Sequence, residues 1–256
     1  MSVFALEFPP VSHLIEWPEF LFAGTPFAVN KVVLIYIFAV VATFVLFWVA
    51  GRRSKLVPSG VQNVVESSVD FVENGIVMQT IGPDGLRFIP FLTAMFFFVL
   101  LTNIMEIVPF IQFPANARMA IPLFLALLVW VLYNVIGIRT QGFLGYLKSS
   151  TMPPGVPKAL LPLVALIEFV SVFLVRPFSL AVRLFANMLA GHLLLVTFAV
   201  LTAALFAQNF LIVILPFSFF MLVFLTAFEI LVAALQAFIF TILTAVYIDA
   251  SMHPDH

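Results

Sequence analysis

The sequence contains no cysteine, which excludes disulfides, thiolate metal sites and thiol nucleophiles outright. Charge is nearly as scarce. Only 9% of the 256 residues are Asp, Glu, Lys or Arg, against roughly 25% in a soluble domain. The 11 basic and 12 acidic residues leave a net charge of -1, so no basic excess favours nucleic acid or an anionic surface. There is no G-x-x-x-x-G-K-[ST] phosphate loop, and no cofactor or metal constellation is expected. Residues 1–29 carry Glu7, Glu16, Glu19 and several prolines instead of a basic and then an apolar region, so no cleavable signal is expected. No internal repeat is visible, which weighs against an inverted-repeat transporter.

What the chain does have is apolar mass. Hydrophobic residues make up 64% of it, 32 of them Phe, and the mean hydropathy is +1.21. Lipid is the solvent for most of such a chain. The expected fold is an all-α polytopic membrane protein of about five transmembrane helices plus one interfacial amphipathic helix. The predicted spans are 32–50, 88–110, 119–138, 159–206 and 210–248. Residues 1–29 form an extracytoplasmic N-terminal segment, and 30–256 a single transmembrane domain. Arg52, Arg53 and Lys55 after the first span, and Arg139, Lys148 and Lys158 after the third, belong on the cytoplasmic side by the positive-inside rule. Residues 58–78 are too polar to span. Val61, Val64, Val65, Val69, Val72 and Ile76 nevertheless recur at helical spacing, which predicts a helix lying in the interface. The last two segments exceed a perpendicular crossing and must tilt steeply, extend beyond the bilayer or break, with Pro162, Pro177 and Pro216 as candidate kinks. A break at Arg176-Pro177 would raise the count toward seven spans but leaves a short first half, so five is preferred.

Ionisable groups at membrane depth cost roughly 2.5 kcal/mol or more each, which makes them functional candidates by default. They are Glu106, Glu168, Arg176, Arg183, His192 and Glu229, with Asn103, Asn187 and Gln236 as neutral companions and Asp249 at the inner end. At 100° per residue, Arg183 shares a helix face with Arg176, Ser179, Asn187 and Ala190, while His192 points the opposite way. Glu229, Ala233, Gln236 and Tyr247 fall near one face of the last span. If Arg183 and Gln236 are level on antiparallel helices, His192 lies about 13 Å and Glu229 about 10 Å toward the outside, so the two share a depth. Asn103 and Glu106 can join them. Glu168, Ser179, Tyr247 and Asp249 fall about 6 to 22 Å to the inner side. Two offset groups of titratable or polar residues thus flank one arginine. Histidine and carboxylates exchange protons near neutral pH when burial shifts them. Guanidinium, with a pKa above about 12, does not. That is the layout of a proton route in two halves separated by a fixed positive charge.

RPFSLAVRLFANMLAGH (176–192), FEILVAALQAFIFTILTAVYI (228–248) and TNIMEIVP (102–109) resemble subunit a of F-type ATP synthases, over about residue 30 to the C-terminus. The resemblance implies a membrane stator that conducts protons to and from the carboxylates of a rotating c-ring. Its partners would be c-ring proteolipids, peripheral-stalk b-type subunits and the lipid bilayer, in a bacterial plasma membrane or, alternatively, a mitochondrial inner membrane. It implies that Arg183 is the gate, with Asn187 and Gln236 as its neighbours. His192, Glu229, Asn103 and Glu106 become the outer half-channel. Glu168 becomes an inner half-channel acid, joined there by Ser179, Tyr247 and Asp249. The chain would not be an enzyme by itself. In the enterobacterial pattern an acid stands at 192 and a His at 229. Here they are exchanged, as in mitochondrial-type sequences, which facing residues at one depth tolerate.

Other readings remain open at the level of sequence. A proton-coupled secondary transporter would place a substrate at Arg183, and a structural scaffold would use Arg183 only to neutralise Glu229 or Glu168. Arg176 and Glu168 lie near a membrane edge, where snorkelling accounts for a charge equally well.

Overall fold

The computed structural model describes residues 18–22, 24–25, 28–52, 58–109, 111–152, 156–157, 160–206 and 211–253. Most of 1–29, and the basic residues Arg53, Lys55 and Lys158, lie outside them. Among the described residues five helices are long and apolar enough to cross a membrane: Lys31–Arg52, Pro83–Ile104, Ala120–Gln141, Leu161–Phe206 and Ile212–Met252.

The first, α1 (Lys31–Arg52), starts where the Asn30 side chain accepts a hydrogen bond from the Val33 amide at 3.0 Å, satisfying one of the free donors of a helix start. It ends with the Arg52 guanidinium 3.9 Å over the Trp48 ring. The end bearing Asn30 is taken as the outer side.

The amphipathic helix follows as α2 (Val61–Val72), and its valine stripe divides. Val65, Val72 and Ile76 are buried, but Val61 and Val64 are exposed, and Gln62 is buried in their place. A π-helical turn at Glu73–Val77 inserts one residue into the pitch, so the adjacent Ile76 and Val77 both point inward. Strict 3.6-residue periodicity has no means of anticipating this.

A 3-10 turn (Pro83–Phe88) leads into α3 (Ile89–Ile104). This helix ends earlier than the span expected over 88–110. Past Ile104 the chain makes tight turns, with the Ile107 amide bonded to the Ile104 carbonyl at 2.9 Å, and these carry Glu106 inward. After α4 (Ala120–Gln141), Gly142 at φ 75 reverses the chain into a short helix, α5 (Phe143–Thr151), for which no expectation is drawn from the sequence. Tyr146 of α5 lies against Gly137, where a methyl group would overlap its ring.

The fourth span is not one continuous α-helix. It comprises α6 (Leu161–Val170), a π-helical turn (Ser171–Val175) and α7 (Arg176–Phe206). Pro177, the second residue of α7, has no N–H to offer, and a ring there crowds the carbonyl four residues back. The wide turn relieves that conflict without ending the span. The Tyr133 hydroxyl donates to the freed Val172 carbonyl at 2.7 Å. Pro162 and Pro216, expected as kinks, instead occupy the first turns of α6 and of α8 (Leu215–Met252), where a missing N–H costs nothing.

Helix α8 packs along α3, α4 and α7, and α7 along α4, while α1 stands at the edge against α2 and α3. An apolar groove of about 540 Å³ separates the middle of α1 from α3. Lipid tails are as apolar as leucine, so close packing takes over the role that water exclusion plays elsewhere. Accordingly Ala39, Ala126, Ala181, Ala237 and Ala245 are completely buried. Phe44, Phe124, Phe178 and Phe217 project outward.

Candidate functional site

Helix α7 has two unlike faces. Leu180, Leu184, Met188 and His192 are buried, whereas Ser179, Ala186, Asn187 and Ala190 are exposed. Arg183 sits half-buried on the open face, and its guanidinium forms no hydrogen bond or ion pair with any described residue. Its lengthwise neighbours are small or amide-bearing, which leaves room for another surface to approach closely.

On the covered side, Nδ1 of His192 lies 3.2 Å from Oε1 of Glu106, a close polar approach without the alignment of a full hydrogen bond. The two residues are 7% and 3% exposed. Register puts His192 level with Glu229, and the acid that meets the histidine ring is Glu106, delivered by the turns after α3. Glu229, 8% exposed, rests its carboxylate against the backbone of Gly191, where even a Cβ would collide with it. A glycine is what this approach of α7 and α8 requires.

Glu106 and Glu229 line one small cavity together with Asn103, Asn187 and Gln236. Its free volume of about 10 Å³ is near the minimum for one water molecule. Asn187 Nδ2 donates to Gln236 Oε1 at 2.8 Å and so links the two faces of α7 through α8. Gln236 is 2% exposed and its Nε2 has no protein partner. The cavity therefore joins two carboxylates and three amides, with a histidine on one acid and the arginine one turn of α7 from Asn187. Chemically this cluster is able to accept, hold and pass protons. No group of three or more His, Asp or Glu suited to a metal ion occurs among the described residues.

The inner residues are not gathered in the same way. The Arg176 guanidinium lies 5.5 Å from the Tyr247 ring centre, and Tyr247 meets Tyr133 edge-on at 5.8 Å. Asp249 faces His253 Nδ1 at 2.8 Å, and Nε2 of that histidine is 3.7 Å from Asp84. Ser179 is exposed, and Glu168 is half-buried on α6 with no hydrogen bond or ion pair to a described residue. The π turn lies between Glu168 and Arg183 and displaces Glu168 by about 100° from its phase on an unbroken helix.

Sequence reasoning missed the residues that organise these groups. Tyr133 has no signal in a 3.6-residue pattern, because its importance lies in the carbonyl it captures on another helix. Asn116 was legible only as a polar loop residue, yet it is 0% exposed and bonded to Asn103.

Comparison with known proteins gives the family. The family model described as ATP synthase A chain matches residues 32–249. The chain is 43% identical over 234 residues to ATP synthase subunit a of Frankia alni, covering 89% of this chain and 79% of that one. It is 42% identical to ATP synthase subunit a of Rhodococcus erythropolis over 249 residues, 93% of this chain and 88% of the relative. A relative from Maricaulis maris with the same name is 42% identical over 226 residues, covering 84% of this chain and 85% of that one. The family match takes in Asn103, Glu106, Glu168, Arg176, Ser179, Arg183, Asn187, His192, Glu229, Gln236, Tyr247 and Asp249. This chain belongs to the ATP synthase A chain family.

Proposed function

We propose that the chain is the proton-translocating stator subunit of an F-type ATP synthase, working through two offset half-channels beside a ring of proteolipid subunits. Protons from the outer side reach the Glu106, His192 and Glu229 group, cross the cavity past Asn103, and neutralise a ring carboxylate brought to the open face of α7. The neutralised site moves away into lipid. After almost a full turn it returns to Arg183 from the other side, and its proton leaves toward Ser179, Glu168, Tyr247 and Asp249. Each crossing yields about 2.3 kcal/mol per 100 mV of membrane potential, which drives the rotation.

The observation that carries this reading is the placement of Arg183. It is half-buried on a face of small residues and engages no acid among the described residues. A guanidinium there would attract and ionise a carboxylate offered from outside. It would also block leakage between the halves, because it does not release its proton. Asn187 and Gln236 connect that position to the acid cluster. The scaffold reading needs Arg183 tied to an acid within the chain, and no described residue supplies one. Peripheral-stalk subunits of the b type would hold this subunit against the ring, and the bacterial relatives favour the plasma membrane. Nucleotide chemistry would lie elsewhere in the complex.

The test uses vesicles holding the intact complex. Arg183→Ala should abolish ATP synthesis driven by an imposed proton gradient while the assembled complex is recovered in normal yield. Normal synthesis by this variant would remove the gate. Failure to assemble would return the scaffold reading.

A further inference from the structure

The acid cluster has a hydrogen-bonded backing that the proton route does not use. The loop between α3 and α4 folds inward, with a 3-10 turn at Ala115–Ala117 packed against α7, and its residues Ala115, Asn116 and Ala117 are all buried. Asn116 Nδ2 donates to Asn103 Oδ1 at 2.8 Å and to Thr102 Oγ1 at 3.0 Å. The Tyr36 hydroxyl of α1 contacts both the Asn116 Oδ1 at 3.1 Å and the Ala115 carbonyl at 2.8 Å. Every polar atom of the Asn116 side chain is therefore engaged, and the partners fix which end of its amide is which.

That fixes Asn103 in turn. Its carbonyl oxygen is held by Asn116, so its NH₂ group is the end left to donate, and Asn103 lines the cavity shared by Glu106 and Glu229. A donor pointed at a carboxylate favours the ionised form, whereas a carbonyl turned the same way would favour the protonated one. Without Asn116 the Asn103 amide is free to turn over, since its two ends are nearly identical in shape.

We infer that Asn116 is a positioning residue of the outer half-channel, holding the Asn103 amide with its donor end toward the carboxylates, and that Tyr36 extends this support to the first span. The inference rests on the half-channel reading above.

The test is a double-mutant cycle in vesicles holding the intact complex, read as gradient-driven ATP synthesis against outer pH. Asn116→Ala and Asn103→Ala should each lower the rate by about fivefold, the net worth of one hydrogen bond. Both should displace the outer-pH profile in the same direction. The double variant should be no worse than either single one, because the two act through one amide. If Asn116→Ala prevents assembly, Tyr36→Phe removes a single hydroxyl and should show a smaller displacement that vanishes in the Asn103→Ala background. Additive losses, or a lowered rate with an unmoved pH profile, would overturn the assignment. Glu229→Gln run in parallel separates the two levels. If it leaves synthesis intact the half-channel reading itself fails, whereas if it abolishes synthesis while the Asn116 series is additive, only the present inference does.

Discussion

Two glycines with the same steric problem separate packing from proton handling. At Gly191 an added methyl group meets the Glu229 carboxylate, and at Gly137 it meets the Tyr146 ring. Overpacking of either kind costs about 1–3 kcal/mol. Gly191→Ala is expected to displace Glu229 from the acid cavity, so gradient-driven synthesis should fall more than tenfold in complexes that still assemble. Gly137→Ala is expected to lower the thermal unfolding temperature of the purified complex while the rate per intact complex is kept. Equal losses of rate in both would mean that the cluster has no special sensitivity to the position of Glu229. At this scale the sequence singles out candidate residues and is poor about whom they meet. His192 and Glu229 were identifiable because ionisable groups are rare in an apolar segment, and their common depth follows from helix rise. That Glu106 takes the histidine was not legible, because it depends on where α3 stops and how the following turns fold back.

Among the elements, the π turn at Ser171–Val175 has the clearest consequence. It holds one residue more than an α-helical path needs, and Tyr133 anchors its Val172 carbonyl. Deleting one residue within 171–175 should restore a continuous helix and rotate α6 by about 100° relative to α7. The natural sequence has no cysteine, so a single introduced thiol reports without background. Glu168→Cys should react with a membrane-impermeant maleimide at a clearly different rate in the deletion variant than in the full-length chain. Unchanged labelling would show that the turn does not orient α6. The five spans themselves were readable from apolar run length alone, since the bilayer sets the length of a crossing. The two π turns and α5 were not, because a single inserted residue or a short polar helix leaves no mark in a hydropathy window. The valine stripe of α2 shows the same limit: it specifies a helix, yet two of its valines face outward because neighbouring α1 and α3 decide which side is covered.

For the molecule as a whole, the pairing of a covered acid cluster with an uncovered arginine implies dependence on other subunits. The open face of α7 offers Arg183, Asn187 and Ser179 to whatever lies beside it. In the complex that neighbour would be a ring of carboxylates, but in a bare bilayer it is hydrocarbon, and an arginine at mid-membrane costs roughly 2.5–3.5 kcal/mol on insertion scales. The chain expressed by itself should therefore disappear faster in a pulse-chase than when its complex is co-expressed. Arg183→Leu should prolong the life of the solitary chain even though, with the proposed gate removed, it should inactivate the assembled enzyme. Equal half-lives for the two solitary chains would mean that the guanidinium is already sheltered by its own fold. With the longer life expected for Arg183→Leu, a residue the proposal makes indispensable to the finished machine would be what marks its unassembled part for destruction. The supply of this subunit would have to be matched to that of the ring, and surplus copies would be cleared by quality-control proteases before they could let ions leak.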